Sequence, residues 1–116
     1  MRPIDGDKLR GHLETLILAT LERGEAHGLE ILRRLELGGC GLLKLKEGSL
    51  YPALYRLEAA GEVAGAWERE QEQKGRRGAR RRIYRLTPRG SRKLRRGRGE
   101  WRTFVSTLGQ ILAVPG

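Results

Sequence analysis

Three leucine-rich stretches at helical spacing, one pair of alternating stretches around a basic loop, and a final seven-residue apolar repeat predict the fold class. It is mainly α with a small β-hairpin, closed by a long C-terminal helix. At 116 residues the chain suits one small domain with a modest core. Aromatic residues make up only 5% of it, so that core must be built from leucine, isoleucine and valine.

The lead segment, Met1 to Gly6, is polar, and Asp5 or Asp7 can cap a first helix by accepting from its free N–H groups. That helix is expected from about Lys8 to Glu22, where Leu9, Leu13, Leu16, Ile17, Thr20 and Leu21 form one broad apolar stripe. Gly24 ends it. A second helix is expected from about Ala26 to Leu37, with Leu29, Ile31, Leu32 and Leu35 apolar, and the glycines at 38, 39 and 41 stop it. His27 opens this helix and reads as a packed or capping group. His12 is likewise single, with no acid or cysteine at ligand spacing. Leu42 to Leu45 reads either as a short strand or as the lead into the next helix.

The third helix, about Glu47 to Ala60, carries the sequence EGSLYPALYRLEA and then Gly61 as a left-handed C-terminal residue. Leu50, Ala53, Leu54 and Leu57 form its greasy back. Ser49, Pro52, Arg56 and Ala60 lie on another face, with Tyr51, Tyr55 and Glu58 at its edge. Pro52 lacks an N–H, which a helix tolerates only near its start, so the helix begins between Glu47 and Ser49. One of Tyr51 and Tyr55 is expected to pack into the core.

Glu62 to Glu70 and Ala79 to Leu86 alternate and read as two strands, with Gln71 to Gly78 as the loop between them. Lys74, Arg76, Arg77, Arg80, Arg81 and Arg82 place six cations within nine residues of this hairpin. Thr87 and Pro88 form a strong helix start, an N-cap followed by proline at the first helical position. Beyond them Leu94, Trp101 and Leu108 recur every seven residues, interleaved with Arg98, Val105 and Leu112 and widened by Phe104 and Ile111. Gly97 and Gly99 oppose this helix, each costing about 0.5–1 kcal/mol relative to alanine, and predict a kink or fraying there unless the helix is packed.

The charge is uneven. The chain carries a formal net charge of +10, yet residues 69–102 alone hold 15 basic and 3 acidic residues. A basic half beside a near-neutral half points to a polyanion that docks on one side. Nucleic acid is favoured over a solvated face, whose charges normally mix in sign. A membrane surface is disfavoured, because no stretch pairs a basic face with a long apolar face rich in Trp or Phe. No apolar run reaches the ~20 residues of a membrane span, and the N-terminal residues lack a signal-peptide apolar region, so a cytoplasmic location is expected. The lone Cys40 excludes an intramolecular disulfide and reads as a bland thiol. No paired carboxylates, Cys/His cluster or phosphate-cradling glycine loop suggests an enzyme, a metal site or a cofactor.

Three helices followed by a basic hairpin is the winged helix-turn-helix arrangement, whose third helix enters the major groove while the wing reaches phosphates or the minor groove. The final apolar seam suits a two-fold dimer that sets two such helices about 34–36 Å apart. A basic RNA-binding or ribosome-associated winged-helix domain is the alternative, weakened by the shortage of aromatics for base stacking.

Five stretches carry a more specific likeness: LETLILATL at 13–21, HGLEI at 27–31, EGSLYPALYRLEAAG at 47–61, RRIYRLTPRG at 81–90 and EWRTFV at 100–105. In these the chain resembles PadR-family transcriptional regulators of the short subfamily, with a single C-terminal helix. Four positions depart from the family pattern: Lys46 replaces a small polar cap, Leu29 replaces a frequent aromatic, and Gly97 and Gly99 replace good helix formers.

The resemblance implies a homodimeric repressor on a palindromic double-stranded operator, released by a small-molecule effector. The DNA-binding unit would span residues 1–87 and the dimerisation helix 88–116. Lys46, Ser49, Tyr51 and Tyr55 are then candidates for base or groove contacts, and Arg56 for a phosphate or base. Lys74, Arg76, Arg77, Arg80, Arg81 and Arg82 would bind phosphate or probe the minor groove. Leu94, Trp101, Phe104, Val105, Leu108, Ile111 and Leu112 would form the dimer interface. Effectors implied by the family are phenolic acids or flat hydrophobic molecules held between interface aromatics. Trp101 is the matching platform, though it reads first as a plain seam residue.

Overall fold

The computed structural model describes residues 11–41, 43–73, 75, 76, 78 and 80–113. The expected caps Asp5 and Asp7, the start of the first helix at Lys8, Leu42, and the wing cations Lys74 and Arg77 lie outside them. In chain order the elements are α1 (Leu13–Leu21), β1 (Ala26–His27), α2 (Gly28–Gly38), α3 (Glu47–Ala59), β2 (Val63–Trp67), α4 (Glu70–Gln73), β3 (Arg82–Leu86) and α5 (Pro88–Leu112). This is the predicted winged-helix order, with two additions.

The first addition is a third strand. Ala26 and His27 were expected to open the second helix; instead they pair antiparallel with Tyr84 and Ile83 of β3, giving a sheet ordered β1-β3-β2. Only at Gly28 does the chain turn helical, because His27 is extended and acts as the N-cap of α2, its Nδ1 accepting from the Glu30 N–H at 3.2 Å. The second is the single-turn α4 inside the expected wing loop. β2 and β3 pair in register from Val63↔Leu86 to Trp67↔Arg82, so both strands are shorter than the alternation suggested.

The core follows the leucine periodicity. Ile17, Leu18 and Leu21 from α1, Ile31 and Leu35 from α2, and Leu50, Ala53, Leu54 and Leu57 from α3 meet Val63, Tyr84 and Leu94. Each fully buried aliphatic side chain contributes about 1.5–3 kcal/mol. The tyrosine that joins this core is Tyr84; neither Tyr51 nor Tyr55 does, which corrects the expectation for α3. Burial pushes the Tyr84 phenol pKa up.

Leu94 is also a correction. Assigned to the dimer seam by its heptad spacing, it is 1% exposed and packs in the core of its own chain. It belongs to a set of contacts that seats the first half of α5. Thr87 caps the helix, accepting from the Gly90 N–H at 3.0 Å, and its hydroxyl donates to the Gly61 carbonyl at 2.7 Å. A side chain at Gly90 would collide with the backbone carbonyl of Glu62. Lys93 bridges Glu14 of α1 and Glu62, both at 3.1 Å, and Arg98 pairs with Glu22 at 2.7 Å. At Lys93 burial, which opposes the charged ammonium, is outweighed by these two carboxylates, and its pKa rises. α5 runs unbroken through Gly97, where a bend was expected only if the helix were unpacked. The glycine serves close packing instead, since a Cβ there would lie 2.5 Å from the Thr15 hydroxyl.

These contacts set opposite outcomes for three glycines of one helix. Gly90→Ala should destabilise the protein by about 1–3 kcal/mol, as overpacking does, despite the better helix propensity of alanine. Gly99→Ala, which meets open space, should stabilise it by about 0.5–1 kcal/mol. Gly97→Ala should fall between them as Thr15 gives way. Thermal or urea unfolding of the three variants checks the order.

Candidate nucleic-acid interface

The back of α3 is held by Leu50, Ala53, Leu54 and Leu57, so its opposite face is presented outward. That face is centred on Gly48, Pro52, Tyr55 and Ala59, all exposed at helical spacing. Tyr55 is 76% exposed and stands at the centre of the face, not at its edge. Ser49 and Arg56 flank it on one side and Tyr51 on the other. The small residues around Tyr55 leave a shallow ridge along which a groove can approach closely. Pro52 donates no hydrogen bond, so the carbonyl of Gly48 is left on this same front.

Lys46 is the N-cap, extended and exposed, and gives α3 no side-chain cap. The Lys46 carbonyl accepts from the Ser49 and Leu50 N–H groups at 3.0 and 3.1 Å. The first N–H groups of the helix therefore have no side-chain acceptor from this residue. Tyr51 leans toward the start of α2, where a side chain in place of Gly28 would run into its ring. Gly28 thus makes room for a candidate contact residue, a dependence that spacing could not reveal.

In the wing, the structure binds several expected phosphate ligands to acids of the same chain. Glu68 follows β2 and is buried. Its carboxylate accepts from the Arg76 guanidinium and from the Arg81 backbone N–H at 2.7 Å, while its own N–H donates to the Arg81 carbonyl at 2.8 Å. The Arg76 hydrogen bond, opposed by burial and aided by the Arg81 N–H, holds the Glu68 carboxyl down to about 2. Arg82 donates to Glu58 of α3, lies across Gly65 and sits 5.4 Å from the centre of the Trp67 ring. Arg81 reaches back to His27, with 3.0 Å between guanidinium and Nε2. Burial, then the Arg81 charge, lower the His27 pKa. A neutral imidazole accepts at one nitrogen only, so its cap on α2 and a bond from Arg81 are alternatives.

Of the described wing cations, Arg80 is fully outward, together with Arg69 and Arg85, which the motif did not single out. Arg82 braces the wing against α3 and Arg81 reaches the N-cap of α2, while Arg76 ties the wing to its own base at Glu68. Trp67 was also missed: it shares the inward side of β2 with Val63 but is 60% exposed, because the strand runs past the edge of the core. Among the described residues no group of three His, Cys, Asp or Glu side chains is placed to hold a metal, and no helix is long and apolar enough to cross a membrane.

The second half of α5 leaves the domain. Trp101, Phe104, Val105, Leu108, Ile111 and Leu112 are all exposed, between 39% and 75%. Trp101 and Phe104 stack at 5.7 Å, and His12 meets both rings edge-on at 5.3 and 5.7 Å.

Residues 17–96, more than half of the chain, match the model of the transcriptional regulator PadR-like family. Among solved structures, a transcriptional regulator from Clostridium thermocellum is 29% identical, with a TM-score of 0.81 over 92% of this chain and 99% of that one. A PadR family transcriptional regulator from Eggerthella lenta is 28% identical, with a TM-score of 0.76 over 94% and 88%. A PadR-like transcriptional regulator from Bacillus cereus is 25% identical, with a TM-score of 0.76 over 95% and 100%. No curated protein matches the chain.

Glu68 sets a pH test for the wing. A carboxyl held below its ordinary value stabilises the fold above that value, near 4.5, and the contribution is lost as pH falls toward the lowered one. Protection of the Arg81 amide against hydrogen exchange should therefore decline between about pH 4.5 and pH 2. Glu68→Gln should weaken that protection at neutral pH and flatten its pH dependence.

Proposed function

The chain belongs to the transcriptional regulator PadR-like family, and we propose that it acts as a cytoplasmic homodimeric repressor on a palindromic double-stranded operator. The observation that carries this reading is the exposed front of α3, bare around Tyr55 and set beside a basic wing. Tyr55, Tyr51, Ser49 and Lys46 contact base edges or the groove wall. Arg56 and the outward wing cations, Arg80 foremost, contact phosphate. Lys74 and Arg77, outside the described residues, belong to the same proposed phosphate-binding set. Phosphate contacts supply affinity and base contacts supply choice.

Residues 1–87 form the DNA-binding unit and 88–116 the dimerisation helix, with the interface itself beginning at Trp101. Six exposed apolar side chains in one stripe support a partner helix there, and a second copy supplies the same stripe. A flat aromatic or hydrophobic effector enters beside Trp101, whose ring is half exposed and already stacked with Phe104. Its binding shifts the separation of the two α3 helices and releases the operator.

Duplex binding should weaken steeply between about 50 and 200 mM salt, by roughly 0.9 in log–log slope for each phosphate contacted; a flat response would remove the wing from the interface. Tyr55→Ala should cost about 1–3 kcal/mol in operator binding, with an unchanged melting temperature. Sedimentation should show a wild-type dimer and monomeric Leu108→Asp and Val105→Asp variants. A wild-type monomer refutes the two-half-site arrangement.

A further inference from the structure

The basic excess of the chain is not confined to the wing. Arg89, Arg92, Arg95, Arg96 and Arg102 fall at three-, four- and seven-residue spacings on one face of α5, opposite Leu94, Gly97 and Trp101. All five are exposed, and the one acid near them on α5, Glu100, sits at the border of this face one turn beyond Arg96. None of the five makes an ion pair among the described residues. The other two cations of this stretch behave differently: Lys93, half-buried, and Arg98, at the surface, are matched by Glu14, Glu62 and Glu22. One helix therefore carries a neutralised side that seats it on the domain and a bare side of arginines.

We infer that this arginine face is a second phosphate-binding surface, which extends the duplex footprint past the segment met by α3. Three observations favour double-stranded DNA as its occupant. The guanidinium group suits phosphate oxygens through its fork of donors. From Arg89 to Arg102 the track runs about 20 Å at 1.5 Å per residue, long enough to follow several phosphates. It also begins where α3 ends, because Arg89 lies against Gly61, the residue that closes that helix. The track thus adjoins the C-terminal end of the proposed reading helix. A lipid headgroup layer fits poorly. The apolar residues of α5 lie on the opposite face, so arginines and apolar side chains cannot both meet one bilayer plane.

The test compares wild type, R92Q/R95Q/R96Q and R92K/R95K/R96K on a random-sequence duplex of about 40 base pairs, chosen so that three arginine contacts change the slope measurably. The glutamine variant should lower the log–log salt slope by roughly two to three, and the lysine variant should restore most of it. Thermal unfolding of all three should coincide, since the altered side chains are exposed. An unchanged slope in the glutamine variant overturns the inference, as does a glutamine variant that loses only its binding to anionic phospholipid vesicles. Failure of wild type to bind any duplex instead refutes the DNA-binding reading of α3.

Discussion

The fold depends on how closely the start of α5 approaches the backbone that closes α3. Gly61 turns the chain out of α3 with a positive φ of 73°. The next residue, Glu62, offers its carbonyl where Gly90 leaves no room for a side chain. Thr87 closes the junction from the other direction, capping α5 while donating to the Gly61 carbonyl. Two short backbone segments, 26 residues apart in the chain, are locked without a large side chain between them. Every other placement follows: Leu94 enters the core, Gly97 lets α1 and α5 touch at Thr15, and the ion pairs of Lys93 and Arg98 close over the seam.

The same junction explains a division of labour among the arginines. Ion pairs on partly exposed surfaces are individually weak, about 0–1 kcal/mol, so their value here is positional. Arg82 ties the wing to α3 through Glu58, and Arg76 ties its tip to its base through Glu68. Arg98 ties α5 to α1 through Glu22. Among the described residues, those without an ion pair include Arg56 on α3, Arg80 and Arg85 on the outer wing and the arginines along the outer side of α5. A basic sequence is thus sorted by a few acids into cations that hold the fold and cations left for a polyanion.

Much of this was legible in residue order, and the exceptions share a cause. Leucine spacing located α1, α2, α3 and α5, and the Thr87-Pro88 pair marked the start of α5, because helix periodicity and caps are local. β1 escaped because two residues cannot display an alternation, and its partners Ile83 and Tyr84 lie far along the chain. Leu94 was placed in the seam because a seven-residue repeat records which side of a helix is apolar, not what covers it. Arg76 and Arg82 looked like free cations for the same reason: their acids, Glu68 and Glu58, are supplied by the fold. Gly97 read as a weakness in a helix because Thr15, the side chain it accommodates, belongs to another element. For the candidate interface, the composition of the α3 front was readable, while the centring of that face on Tyr55 required knowing which leucines were buried.

The seating of α5 has a mechanical consequence. Its first half is clamped to α1 and to the end of α3, and its second half projects beyond them. A continuous helix hinged nowhere behaves as a lever with its fulcrum between Gly90 and Gly97. In the proposed dimer, a small change in the angle at which two such levers cross near Trp101 cannot be absorbed by bending at the junction. It is delivered to the far side of each domain as a displacement of α3. Gly97, which appeared to weaken the helix, is then where it is gripped most closely by α1.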